Sequence, residues 1–148
     1  MPKIPSTRTE SAARAVLATL FLVAGFLKVL DPLGFALAIA RMQILPRGVI
    51  GPAAITLPWV EIVAGGALLG LPSFRSAALA LLATLLAAFT AALLIVLARG
   101  TSSSCGCFGV EGGFLGRTEV ALVRNLILGA LIGFLATSSR RSRPASPA

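Results

Sequence analysis

FRSAALALLATLLAAFTAALLIVLA, residues 74–98, is dominated by alanine and leucine, with Arg75, Thr84 and Thr90 as its main interruptions. Such a run offers no face that a water-soluble helix would keep polar. At about 1.5 Å of rise per residue it covers the roughly 30 Å hydrocarbon core of a bilayer. It predicts a membrane-spanning helix, the most uniform in the chain. Leu71-Pro72-Ser73 before it predicts a tight turn, and Arg99-Gly100 closes it.

Three further runs share this character. Residues 12–30 are rich in Leu, Ala and Val and predict the first span. A basic start ahead of an apolar run is also the plan of a cleaved signal peptide. Here the run is longer than a typical signal core, Lys28 interrupts its end, and no clear cleavage site follows. Asp31-Pro32 then breaks the helix, because proline lacks a donor and disfavours a helical residue before it. Residues 33–45 are apolar but short and carry Arg41 and Gln43, which predicts an interfacial or re-entrant helix ended by Pro46. Residues 52–71 predict the second span, with Pro58 expected to kink or unwind its first half. The fourth span is expected from Thr118 or Glu119 to residue 136, with Thr118 as its N-cap.

The expected fold is therefore all-α: a polytopic membrane protein built as a four-transmembrane-helix bundle, with a short interfacial helix between helices 1 and 2. Residues 12–136 form the one domain that 148 residues allow. Residues 1–11 predict a short polar tail and residues 137–148, rich in Arg, Ser and Pro, a disordered one.

Composition agrees. The chain is 57% hydrophobic and 12% charged, with a mean hydropathy of +0.95, more apolar and less charged than a soluble domain. A net charge of +8 raises the question of nucleic acid. The basic residues sit at the ends of the apolar runs, however, and form no patch interleaved with aromatics. The partner they imply is the lipid bilayer, and no nucleic acid is expected. Four spans put both termini on one side. Lys3, Arg8, Arg14, Arg75, Arg140, Arg141 and Arg143 lie at the termini and the turn near residue 72, against Lys28, Arg41, Arg47, Arg99 and Arg117 opposite. That bias predicts a bacterial inner membrane protein with cytoplasmic termini and a periplasmic loop between spans three and four.

This loop holds both cysteines of the chain, Cys105 and Cys107. Outside the cytosol disulfides persist. A pair one residue apart closes an unusually small ring, expected to be easily reduced and hence oxidising. Gly106 lets the backbone bend, and Ser102 to Ser104 with the Arg99 charge would favour the Cys105 thiolate. Inert thiols at a helix end are the plain alternative. Metal binding is not expected, since the chain has no His and two thiolates do not fill a tetrahedral zinc site unless a dimer pools two pairs. Lack of His also removes the usual haem ligation.

Ionisable groups inside spans usually face the bundle interior and either pair or mark function. Lys28, Glu61 and Arg124 fall at similar depth below the cysteine loop, so Glu61 is expected to face Lys28 or Arg124. The plain alternative is that Lys28 and Arg124 snorkel to the interface. Pro58, Trp59 and Glu61 together suggest a polar patch in an apolar helix. Glu61 or Asn125 would then exchange protons with the thiols or with a bound quinone.

Ala24-Gly25-Phe26-Leu27-Lys28-Val29-Leu30-Asp31-Pro32, Leu57-Pro58-Trp59-Val60-Glu61, Arg99-Gly100 with Ser104-Cys105-Gly106-Cys107-Phe108-Gly109, and Arg124-Asn125 follow one another along the chain. In this order they resemble the MauE family of methylamine utilisation membrane proteins, over about residues 14–135. The Gly-x-x-Lys and Pro-x-x-Glu pieces are also similar to the wider DoxX-like four-helix group. The resemblance implies an inner-membrane protein acting in maturation of a disulfide-rich periplasmic dehydrogenase subunit, beside a thioredoxin-like partner. Similarity in plan to quinone-linked thiol oxidoreductases implies Cys105 and Cys107 as the redox pair.

Two functions of different class remain open. One is a thiol–disulfide oxidoreductase relay, in which Cys105 and Cys107 exchange with the partner through a mixed disulfide and a quinone sits near Trp59, Glu61 and Arg124. The other is a non-catalytic assembly factor whose loop docks a periplasmic client. A small-solute transporter is disfavoured, since no matched broken helices occur.

Overall fold

The computed structural model describes residues 8–99 and 118–141. Cys105, Cys107 and the rest of the loop, with the outer parts of both tails, lie outside the described residues. Among the described residues, five α-helices and one short 3₁₀ turn follow in order: α1 (Arg8–Leu30), α2 (Pro32–Met42), α3 (Arg47–Gly70), the turn Pro72–Phe74, α4 (Arg75–Ala98) and α5 (Thr118–Arg141). Four are long and apolar enough to cross a membrane, and the shorter apolar α2 lies between the first two.

Several boundaries differ from expectation. α1 begins at Arg8, inside the stretch read as a tail, and α5 continues to Arg141, past residue 136. α2 ends earlier than Pro46. Gln43 turns into the left-handed region at φ 50°, its N–H reaching the Ala40 carbonyl, and Pro46 instead starts α3. A left-handed residue closes a helix because it turns the chain away from the next intrahelical bond. At the other end of α2, Asp31 is the N-cap, accepting from the Gly34 N–H at 2.9 Å. The capping side chain of Thr118 lies outside the described residues.

Pro58 does not unwind α3, which runs unbroken with both Pro52 and Pro58 inside it. Neighbouring helices tolerate such prolines by holding the freed backbone in place. Pro58 is fully buried, and its carbonyl faces Gly25 of α1. A Cβ at Gly25 would meet Ile62 Cγ1 at 2.8 Å and the Pro58 carbonyl at 2.9 Å; one at Gly65 would meet Leu22 Cγ at 3.1 Å and the Ala18 carbonyl at 3.2 Å. α1 and α3 thus run antiparallel with backbones in near contact, the packing that small residues permit between membrane helices.

The main core lies toward the end of the bundle where α1 starts and α5 stops. Leu17, Phe21, Leu68, Leu82, Leu128 and Ile132 pack there from four helices. A second cluster joins Phe35 and Ile39 of α2 to Ala54 of α3, with Phe89 against it. The outer surface is as apolar as the core: Phe26, Ile55, Trp59, Val63 and Leu126 are all more than half exposed. In water such a surface would aggregate; in hydrocarbon it is the solvated face.

Candidate functional site

The glycine seam sets the site. Lys28 lies one turn beyond Gly25, and Glu61 one turn before Gly65, so the close approach of α1 and α3 brings the two charges face to face. Lys28 Nζ donates to both Glu61 oxygens at 2.7 Å, with the side chains only 4% and 2% exposed. The ammonium also lies over two aromatic rings, 5.2 Å from the Phe35 centroid and 5.0 Å from that of Phe89. Cation–π attraction is strongest in such a desolvated place. Lys28 therefore does not snorkel, and the pairing expected of Glu61 is present.

Across from this pair, Asn125 of α5 is 4% exposed and donates through Nδ2 to Thr90 Oγ1 of α4 at 3.1 Å. The Thr90 hydroxyl donates in turn to the Leu86 carbonyl at 2.7 Å. Arg124 is partly buried, and its Nη2 lies 3.5 Å from Asn125 Oδ1. Lys28, Glu61, Arg124 and Asn125 all line one cavity of about 50 Å³ between the helices. That is room for a few waters at roughly 10–15 Å³ each. Met42 and Leu93, on its wall, pack with Ala121 and Leu122 near the end where α4 stops and α5 begins.

Two expected members stand elsewhere. Trp59 is 54% exposed and faces outward, away from Glu61. Residues two apart on a helix do not share a face, so no patch of Pro58, Trp59 and Glu61 forms. Arg99 is exposed and donates through Nη1 to the carbonyls of Gln43 at 3.2 Å and Met42 at 3.4 Å. It satisfies the carbonyl end of α2, which a cation also complements through the helix dipole. Whether it also reaches Cys105 falls outside the described residues.

Sequence reasoning missed Phe35, Phe89 and Met42. Their signal was faint, since an aromatic or a Met in an apolar helix is ordinary core material. Thr90 was visible as an interruption of its run but carried no partner. Among the described residues no three His, Cys, Asp or Glu side chains converge as a metal site would need.

The family described as "Methylamine utilisation protein MauE" matches residues 6–138. A relative from Paracoccus denitrificans, named "Methylamine utilization protein MauE", is 36% identical over 137 residues, which covers 91% of this chain and 72% of the relative. No solved structure matches the chain. A match that takes in all four spans, the paired charges of α1 and α3 and the Arg-Asn step of α5 leaves one assignment: the chain belongs to the MauE family.

Proposed function

We propose that this protein is a membrane component of methylamine utilisation that supports maturation of a periplasmic dehydrogenase, with Cys105 and Cys107 as a thiol–disulfide pair. The context comes from the family; the chemistry comes from the Cys-Gly-Cys pair carried between α4 and α5. In the exchange a thiolate of the pair attacks a disulfide of a thioredoxin-like partner. A mixed disulfide forms as one partner thiolate leaves, and the second cysteine then attacks the mixed bond. The pair ends oxidised and the partner reduced, and the reverse order runs the opposite way. The membrane concerned is the inner membrane, with both termini cytoplasmic and the loop periplasmic.

The observation that best supports a site beneath the loop is the buried Lys28–Glu61 pair beside Arg124 and Asn125. Charge is costly in hydrocarbon and persists there where it has a task. In this reading the cluster supplies or accepts the protons that thiol chemistry moves. A quinone completing the electron path would need the cavity to widen, since it holds only a few waters.

The full hydrogen bonding of Lys28 to Glu61 also favours a second reading, a rigid assembly factor whose loop docks a client. Alkylation trapping in membranes separates the two. A relay shows a mixture of reduced and oxidised Cys105–Cys107 that shifts when the partner is depleted, and Cys107→Ala captures the partner covalently. A permanently oxidised pair with no captured species supports the assembly factor.

A further inference from the structure

At the opposite end of the bundle from the ion pair, a small recess of about 30 Å³ opens among α1, α3, α4 and α5. Its polar wall is Arg14 of α1, Arg75 at the start of α4, Ser138 of α5 and Glu10; Leu68, Leu79 and Leu135 form the rest. Two guanidiniums thus share one recess with a single carboxylate, a net positive charge at the edge of the apolar core. Arg14 reaches Ser11 Oγ at 3.3 Å. Arg75 is different: its Nε is buried with no hydrogen-bond partner among the described residues. A buried N–H without an acceptor is costly, and each such atom calls for an account. The N-terminus of α4, where Arg75 stands, carries no side-chain cap, so the positive end of the helix dipole adds to the same place.

From these observations we infer that the recess binds the phosphodiester of an anionic phospholipid. The Nε and Nη of an arginine form a planar fork that matches two oxygens of a phosphate, and one headgroup oxygen supplies the acceptor that Arg75 Nε lacks. Arg14 and Ser138 bracket the phosphate from the neighbouring helices. The single negative charge of a phosphodiester balances two arginines and one glutamate. The recess itself takes only phosphate oxygens; it lies at the ends of membrane-spanning helices, so the glycerol and chains of a lipid extend from it along the apolar exterior of the bundle, which ties it to a lipid and not to a soluble ion. Basic pockets between membrane helices hold headgroups in this way. The site is independent of the thiol chemistry, lying among the ends of helices remote from α2 and Arg99.

The test uses the full chain in phosphatidylcholine nanodiscs with and without phosphatidylglycerol, read by native mass spectrometry for retained lipid and by thermal midpoint. Phosphatidylglycerol is expected to stay bound to the wild type and raise its midpoint, with phosphatidylcholine doing neither. Arg75→Gln and Arg14→Gln should each weaken retention on the order of fivefold, the factor one arginine is worth near an anionic headgroup. Arg75→Lys, which keeps the charge but loses Nε, should fall between. Arg47→Gln, at the other end of α3, should leave retention unchanged. Equal retention of both lipids by the wild type overturns the proposal even if a variant fails to fold. So does a loss in Arg47→Gln equal to that in Arg75→Gln, which marks diffuse surface attraction. Inorganic phosphate matching phosphatidylglycerol in the midpoint assay overturns the lipid source in favour of a free anion.

Discussion

Removing either half of the Lys28–Glu61 pair leaves a charge buried in the interior of an apolar bundle. The geometry sets the size of the effect: both oxygens are held at 2.7 Å, and neither side chain is more than 4% exposed. Breaking a buried pair of this kind costs about 3–5 kcal/mol, because the survivor keeps its desolvation penalty and loses the compensating partner. Lys28→Met and Glu61→Leu should each fall in that range. The double variant Lys28→Met/Glu61→Leu removes both penalties with side chains of similar bulk, and by the same reasoning should lie within about 1 kcal/mol of the parent or above it. The Phe35 and Phe89 rings lose a cation but keep an apolar neighbour, a change of about 0.5–2 kcal/mol that works against full recovery. Reversible unfolding in mixed micelles of the four proteins of the cycle gives the coupling directly. Single variants costing less than about 1 kcal/mol, or a double variant as unstable as the sum of the singles, would refute the view that the pair is a mutually dependent unit.

Three other outcomes follow from the packing. Gly25→Ala should destabilise by about 1–3 kcal/mol through overpacking, while Gly66→Ala, which meets nothing within 4 Å, should be neutral or stabilising by up to about 1 kcal/mol; thermal midpoints of the two compared with wild type decide it. Thr90→Val should cost about 1–3 kcal/mol by leaving the buried Asn125 amide without its acceptor, and the loss should vanish in the Asn125→Leu background, as a double-mutant cycle would show. Gln43→Gly should stabilise by about 1 kcal/mol, since glycine adopts the left-handed conformation without the penalty of a Cβ, and slower amide exchange at the end of α2 would report it.

The four spans were legible because the apolar runs are long and their ends carry Pro, Gly or basic residues. The Lys28–Glu61 pairing was legible for a similar reason: few charges occur at that depth, so the number of partners is small. Trp59 was misjudged by proximity in sequence, although the helical period already puts residues 59 and 61 on different faces. The end of α2 was not legible, because the left-handed turn at Gln43 is held in part by Arg99, some 56 residues away. Gly25 and Gly65 were present as letters, but nothing local distinguishes a glycine that lets two backbones touch from one that faces lipid, as Gly66 shows. The cysteine pair was conspicuous in the sequence, and its relation to the cavity rests on the loop outside the described residues.

The seam between α1 and α3 has a mechanical consequence. Where helices meet through long side chains, rotamer changes let them slide, and the spacing between them is adjustable. Here glycine sets the spacing: Gly25 faces the Pro58 carbonyl and Ile62, and Gly65 faces the Ala18 carbonyl and Leu22, so little side-chain bulk separates α1 from α3 and the two move as one plank. A bilayer that thickens, thins or tilts the bundle moves Lys28 and Glu61 together and leaves their separation alone. The strain falls on the joints this plank makes with α4 and α5, and the Asn125–Thr90 contact across those two helices is where it would first be felt.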